Sequence, residues 1–228
     1  EGEHTRTIGR DVIGSIFVRL QQEDSKAGDQ ITRSFLLMPG VRLSGHRYND
    51  LIRPTRGFRY DLEARGTDRS MGSGTSFLQF LGSGELVVPL PQRIFLITRM
   101  RFGTTTAHEP AEDLPISVRF FAGGDNSVRG YAYQSLGPED ADGKVVGGRH
   151  MIAGTMEAEK AVGKNWGIVV FYDTGSAFNN WSNIDAAQGA GIGGRYYTPV
   201  GPVRLDLARQ IGVRDPDYRI HITMGLDL

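Results

Sequence analysis

Apolar and polar residues alternate along most of this chain with a period of two, the spacing of a β-strand whose two faces meet different surroundings. Between Gly57 and Gly66, Phe58, Tyr60, Leu62 and Ala64 fall on one side, and Arg59, Asp61, Glu63 and Arg65 on the other. A helix would mix the two sets. The last segment repeats the rule: Tyr218, Ile220, Ile222, Met224, Leu226 and Leu228 alternate with Arg219, His221, Thr223, Gly225 and Asp227. Val203, Leu205 and Leu207 oppose Arg204 and Asp206, and Val12, Gly14, Ile16, Val18 and Leu20 oppose Asp11, Ser15 and Arg19. Leu78, Phe80, Leu86 and Val88 likewise oppose Gln79, Ser83 and Glu85. The pattern predicts about ten strands, many of roughly 9 to 11 residues or more, enough to cross a bilayer when tilted.

Short and long connections alternate between these segments. Tight turns are expected at Arg53 to Gly57, Pro89 to Gln92, Val162 to Lys164 and Pro199 to Pro202. Longer polar loops are expected at Glu23 to Asp29, Thr67 to Gly74, Thr104 to Gly148, Thr174 to Ala187 and Gly212 to Asp217. Short turns on one rim and long loops on the other are the pattern of an outer-membrane barrel. The expected fold is all-β: one antiparallel transmembrane β-barrel domain over residues 1–228, with a long inward-folding loop at about 105–148. Alternation alone also fits a soluble barrel or sandwich, and the charged faces carry both signs, which suits a solvated outside as well as a wet lumen. Aromatic residues near strand ends (Tyr48, Phe58, Trp166, Phe178, Trp181, Tyr196, Tyr197, Tyr218) favour a membrane girdle.

Composition narrows the function classes. The 228 residues include 31 Gly, with 23% charged and 39% hydrophobic, which suits a folded chain. A formal net charge of +0, with basic residues dispersed among acids, makes no nucleic-acid partner expected. The absence of Cys excludes disulfides and thiolate metal sites. No run of 18 apolar residues offers a spanning helix, which leaves a spanning barrel open. The chain opens on Glu1 without Met or a charged leader, so a processed protein or a piece of a longer one is expected. His4, His46, His108, His150 and His221 are scattered without metal-ligand spacing, and neither a Gly-x-Ser-x-Gly elbow nor a phosphate-binding loop is found. No catalytic residue, cofactor or metal is expected, and the chain is not expected to be an enzyme.

The stretch that carries the most information is Phe120 to Gly137, a glycine-rich loop with one cation, Arg129. A guanidinium on a long loop can fold into the lumen and donate fork-like hydrogen bonds to wall carboxylates. Strand parity says which carboxylates face inward. Trp166, Ile168, Val170 and Tyr172 form one face, which turns Phe171 and Asp173 to the other; Ile152, Met156 and Ala158 share a face, which leaves Thr155, Glu157 and Glu159 opposite. Glu157 and Asp173, on neighbouring strands, are the expected partners of Arg129. Gly123, Gly124 and Gly130 allow the loop to turn tightly and approach the wall.

Val128-Arg129-Gly130-Tyr131 resembles the signature of the sixth outer loop in the superfamily of barrels that assemble or transport polypeptides at the outer membrane, the bacterial surface antigen type. Pro54-Thr55-Arg56-Gly57-Phe58-Arg59 resembles that superfamily's turn into a strand, and Phe171-Tyr172-Asp173-Thr174-Gly175 its Phe-x-Asp-x-Gly strand motif. Gly189 to Arg195, leading into Pro199 to Asp206, resembles its penultimate hairpin. Several short matches in the right order are far more specific than one. The wording of Arg119 to Asp142 is most like the TamA barrels of translocation and assembly modules, and the resemblance is densest from about Arg119 to Leu228.

The resemblance implies a sixteen-stranded barrel in the outer membrane of a Gram-negative bacterium, of which this chain looks like the carboxy-terminal part. It implies that Arg129 docks on an acidic residue of each of the two strands after the loop, the same Glu157 and Asp173. It implies insertion or translocation of other outer-membrane β-proteins such as autotransporters. The implied partners are the outer-membrane lipid bilayer, unfolded outer-membrane protein substrates and a periplasm-spanning partner of the TamB type. A two-partner-secretion or passive channel, a membrane anchor for a missing passenger domain, and lipid transport are the other readings. The last strand, ending in Gly225, Leu226 and Leu228, is the candidate seam. Gly189, Gly191, Gly193 and Gly194 either weaken packing near that seam or let the wall curve sharply.

Overall fold

The computed structural model describes residues 2–9, 11–27 and 30–225. Its strands follow one another in an antiparallel meander: β1 (Gly2–Thr7), β2 (Val12–Ala27), β3 (Gln30–Tyr48), β4 (Gly57–Thr67), β5 (Phe77–Leu90), β6 (Ile94–Ala107), β7 (His150–Val162), β8 (Trp166–Phe178), β9 (Ala187–Thr198), β10 (Gly201–Ile211) and β11 (Tyr218–Met224). All eleven belong to one sheet, each bonded to its sequence neighbours. The strand beyond the ten or so that periodicity predicts is β1, whose Gly-Glu-His-Thr-Arg-Thr sequence is exposed throughout and has no apolar face to reveal it. Among the described residues β1 pairs only with β2, and β11 only with β10, so the sheet carries a free edge at each end.

Three expected loop boundaries move. Glu23 to Asp29 is not a long loop: β2 and β3 stay paired as far as Ala27 and Gln30. The run Gln21 to Lys26 is polar on both faces, so alternation has no contrast there while backbone pairing continues. The small residues Thr174 to Ala177 extend β8 to Phe178, and Thr104 to Ala107 extend β6, which leaves connections of 179–186 and 108–149. On the opposite rim, the turn expected at Arg53 to Gly57 is a connection of eight residues beginning at Asn49.

The two faces of the sheet differ in the sense opposite to a water-soluble protein. On β8, Trp166, Ile168 and Val170 are 54–59% exposed while Val169 and Asp173 are at most 1% exposed. The outward faces of β10 and β11 present Leu205, Leu207, Ile220 and Ile222, and the buried polar set includes Glu63, Gln79, Glu157, Glu159, Asp173 and Asp206. A continuous apolar exterior is costly in water, at about 25 cal/mol per Å², and is removed from that cost by hydrocarbon. The ambiguity that alternation left open is thereby settled: charge faces inward. At the short-turn rim the Trp166 and Tyr196 rings lie 4.7 Å apart on the outer face, in the manner of an interfacial aromatic girdle.

The connection between β6 and β7 fills the concave side. Leu114 and Val118 bury against Leu36, Met38 and Phe77, and Phe120 and Ala122 pack with Ala177. The Gln79 amide donates to the Val118 carbonyl at 2.8 Å. Arg119 ties the loop to itself, donating to the carbonyls of Leu114 (2.8 Å), Glu112 (2.6 Å) and Val146 (3.0 Å). The loop is therefore a packed plug whose tip is aimed at β8 to β11.

Val170→Arg should cost about 2–4 kcal/mol in a bilayer, whereas Val170→Leu should stay within about 1.5 kcal/mol. Urea titration of the full-length protein in lipid vesicles measures both; equal, small effects would refute a lipid-facing wall.

Candidate functional site

Arg129 is 5% exposed and lies against the inner faces of β7, β8 and β10. Its Nε and Nη2 donate to the two oxygens of Asp173 at 2.7 and 2.9 Å, a bidentate fork, and its backbone N–H donates to Asp173 Oδ2 at 3.0 Å. Nη1 reaches Glu157 Oε1 at 2.8 Å and donates to Asp206 Oδ2 at 2.8 Å. The guanidinium carbon stands 3.5 Å from the Phe171 ring centre, a cation–π contact of a kind worth up to about 2 kcal/mol when desolvated. Glu157 and Asp173 are 2% and 1% exposed.

The structure thus brings together Arg129, Glu157 and Asp173 and adds residues that parity had not joined to them. Asp206 is one; its inward direction was readable opposite Leu205 and Leu207, but nothing in the sequence shows that β10 lies under the loop tip. Arg195 is another. Its Nη2 meets Glu157 Oε1 at 3.5 Å and Asp206 Oδ2 at 3.2 Å, and its Nη1 donates to Asp206 Oδ1. Arg99 Nη1 approaches Glu157 Oε1 at 3.2 Å from β6, and Arg99 Nε donates to Glu85 Oε2 at 2.6 Å. Every carboxylate of the cluster meets at least one guanidinium group.

Burial alone favours a neutral guanidine at Arg129. The hydrogen bonds to Asp173 and the fields of Glu157, Asp173 and Asp206 outweigh it and hold the pKa above the ordinary arginine value. Arg129 is a permanent cation, so the dock does not switch with pH through its own titration.

The rest of the loop motif shapes the approach. Val128 is fully buried, and Tyr131 is half-buried, which pushes its phenol above its ordinary pKa. Gly123, Gly124 and Gly130 all have φ of +96 or +97°, the left-handed region that side chains disfavour. Gly130 N–H donates to His221 Nε2 on β11 at 3.1 Å, and its carbonyl accepts from the Gln210 amide at 3.1 Å. His221 Nδ1 is in turn bonded to the Asp125 carboxylate.

The β9 glycines make room for the docked loop. They sit two strands in from the free edge, and a Cβ on Gly189 would lie 2.0 Å from the Arg129 carbonyl. One on Gly191 would lie 2.5 Å from Phe171 Cζ, and one on Gly193 would lie 1.8 Å from Asp206 Oδ1. This inward stripe is the seat of the dock. Gly194 points into open space. At the candidate seam, β11 ends at Met224; Gly225 lies past it and donates its N–H to the Pro202 carbonyl at 3.1 Å, while Leu226 and Leu228 lie outside the described residues.

Removing one partner of a buried ion pair costs about 3–5 kcal/mol. Arg129→Ala and Gly189→Ala should therefore both undock the loop and raise protease cleavage within 123–131 at least tenfold in the full-length protein, with strand content by circular dichroism intact. Gly194→Ala should not. A Gly189→Ala protein with wild-type protection would refute the seat.

Residues 18–228 match the Omp85 superfamily domain. Among solved structures, the chain superposes on BamA from Haemophilus ducreyi lacking POTRA domains 1-3 with a TM-score of 0.79 and 16% identity, over 98% of this chain and 53% of that one. It superposes on CdiB from Acinetobacter baumannii with a TM-score of 0.66 and 15% identity, over 98% of this chain and 41% of that one. At these identities the two structures speak for the fold alone, and the chain spans about half or less of either. The domain match takes in nearly the whole sequence, and the chain belongs to the Omp85 superfamily.

Proposed function

We propose that this chain is the wall and plug of an outer-membrane barrel that assists insertion or translocation of other outer-membrane β-proteins, autotransporters among them. The observation that carries the reading is a plug loop docked by a buried charge cluster onto β8 and β10 of an apolar-walled sheet, next to β11, the last of the described strands. An unpaired edge is a hydrogen-bond template for an incoming strand. The dock makes the neighbouring strands a rigid platform, so that the edge can open without the wall dissolving.

Superfamily membership and the apolar exterior support placement in the outer membrane of a Gram-negative bacterium. The finer reading, a TamA-type barrel working with a periplasm-spanning TamB-type partner, rests on the wording of Arg119 to Asp142. Its substrates are unfolded β-proteins that arrive with their own strand edges unpaired, and its solvent is the lipid bilayer.

Two outcomes follow for the full-length protein in vesicles given an unfolded autotransporter β-domain. Arg129→Ala should slow substrate folding about tenfold, scaled from the loss of one charged hydrogen-bond set. A disulfide between β11 and the first strand of the full-length barrel should abolish folding when oxidised and restore it when reduced. Gel-shift of the folded substrate measures both, and full activity of the oxidised form would refute opening at this edge.

A further inference from the structure

The Pro-Thr-Arg-Gly motif has no part in the dock of the long loop, and it sits on the opposite rim. There the connection Asn49–Arg56 closes on itself before it reaches anything else. Asn49 Oδ1 accepts from the N–H groups of Thr55 (3.0 Å) and Arg56 (2.9 Å), and Asn49 Nδ2 donates to Thr55 Oγ1 at 2.8 Å. Asp50 Oδ1 accepts from Ile52 N–H at 2.8 Å and Arg53 N–H at 2.9 Å. Gly57 ends the connection with φ of +141°, and a Cβ there would lie 2.0 Å from the Arg47 carbonyl. A connection built this way keeps its shape whether or not it touches the wall.

Its tip nonetheless crosses to the far side of the concave face. Arg53 Nη2 donates to Glu159 Oε1 at 3.2 Å and to the Trp166 carbonyl at 2.9 Å, and Nη1 donates to the Lys164 carbonyl. The guanidinium stacks 4.4 Å from the Tyr197 ring centre. These partners lie on β7, the β7–β8 turn, the start of β8, and β9, more than a hundred residues further along the chain. Tyr197 also donates its hydroxyl to Glu159 Oε2 at 2.6 Å, which fixes the carboxylate that receives Arg53. Between the connection and the wall lies a cavity of about 260 Å³ lined by Ile52, Pro54, Val87, Ile97, Glu157 and Tyr197 among others. Glu157 belongs to both, so the cavity separates the two plugs.

We infer that Asn49–Arg56 is a second plug, a pre-shaped strap that gates the short-turn rim of the lumen with Arg53 as its bolt. Two features favour a gate over a permanent staple. The strap's shape is set by Asn49 and Asp50, within itself, so release of Arg53 does not unfold it. Arg53 Nε is buried without a hydrogen-bond partner, an unsatisfied donor that lowers the cost of letting go. The inference rests on the lumen proposed above and not on what the barrel handles.

The test uses the full-length protein in vesicles with a single engineered cysteine, Ile97→Cys, in an otherwise cysteine-free background; this chain supplies none of its own. Ile97 lines the cavity and is 8% exposed. A membrane-impermeant maleimide should label it slowly, and Arg53→Ala or Glu159→Gln should each speed labelling about tenfold, the effect of losing one charge-assisted bond. Arg53→Lys, a point charge that cannot fork to two carbonyls and a carboxylate, should fall between. Folded electrophoretic migration and protection of the long loop should stay unchanged. Equal labelling rates in all variants overturn the gate, as does faster labelling only in proteins that lose folded migration. The readout needs no client protein, so its failure is separate from a failure of the insertion reading.

Discussion

One guanidinium among three carboxylates sets the terms for the rest of the concave face. Arg129 cannot leave water unless its charge is met, and Asp173, Glu157 and Asp206 meet it from three different strands. Three carboxylates around a single cation would themselves be unstable in a low-dielectric site. Arg195 and Arg99 supply the balance, and Phe171 offers the flat of its ring. A cluster of this kind is weak evidence for added stability, since apolar packing of equal volume could serve as well. Its use is to define one position for the loop, because any intermediate position leaves charges buried and unpaired.

The same network runs from one rim toward the other. Glu157 is shared by Arg129, Arg195 and Arg99; Arg99 holds Glu85, and Glu85 accepts from the Tyr48 hydroxyl at 2.7 Å, at the root of the rim connection. Two residues along β7, on the same face, Glu159 receives Arg53. One strand thus presents successive inward carboxylates to two plugs, and the period of two that makes β7 amphipathic also makes it the common wall of both.

Much of this was legible in the sequence because alternation is unambiguous wherever one face is apolar. Trp166 to Asp173 could be assigned residue by residue, and the assignment put Glu157 and Asp173 inward beside each other. It was silent where a strand lacks an apolar face, as in β1 and the polar run Gln21 to Lys26. Asp206 faces inward by the same rule, yet its contact with Arg129 depends on where the 42-residue connection 108–149 comes to rest, which no local period encodes. The β9 glycines are visible as a cluster, yet a missing side chain shows only that room is needed and not what fills it. Arg53 to Gly57 reads as a tight turn for a related reason: Pro and Gly mark the end of the connection, whereas its beginning is fixed by side-chain hydrogen bonds to Asn49 and Asp50.

The dock also makes the sheet mechanically uneven. β8, β9 and β10 are cross-linked through the loop: Asp173 and Asp206 share Arg129, and the loop backbone sits on Gly189 between them. β11 has no carboxylate in that cluster. Among the described residues it pairs with β10 along Val203–Arg209 and, past Met224, through the Gly225 N–H to the Pro202 carbonyl, where β10 pairs with β9 along the whole of Gly201–Ile211. Its hydrogen bond to the loop runs through His221, which accepts from Gly130 N–H and holds Asp125. Separating β10 from β9 would break a full backbone ladder and expose buried charge, while separating β11 from β10 leaves the carboxylates of the cluster with their partners. The interaction that keeps the loop inside thus ties β8, β9 and β10 to one another and leaves β11 outside the charge cluster.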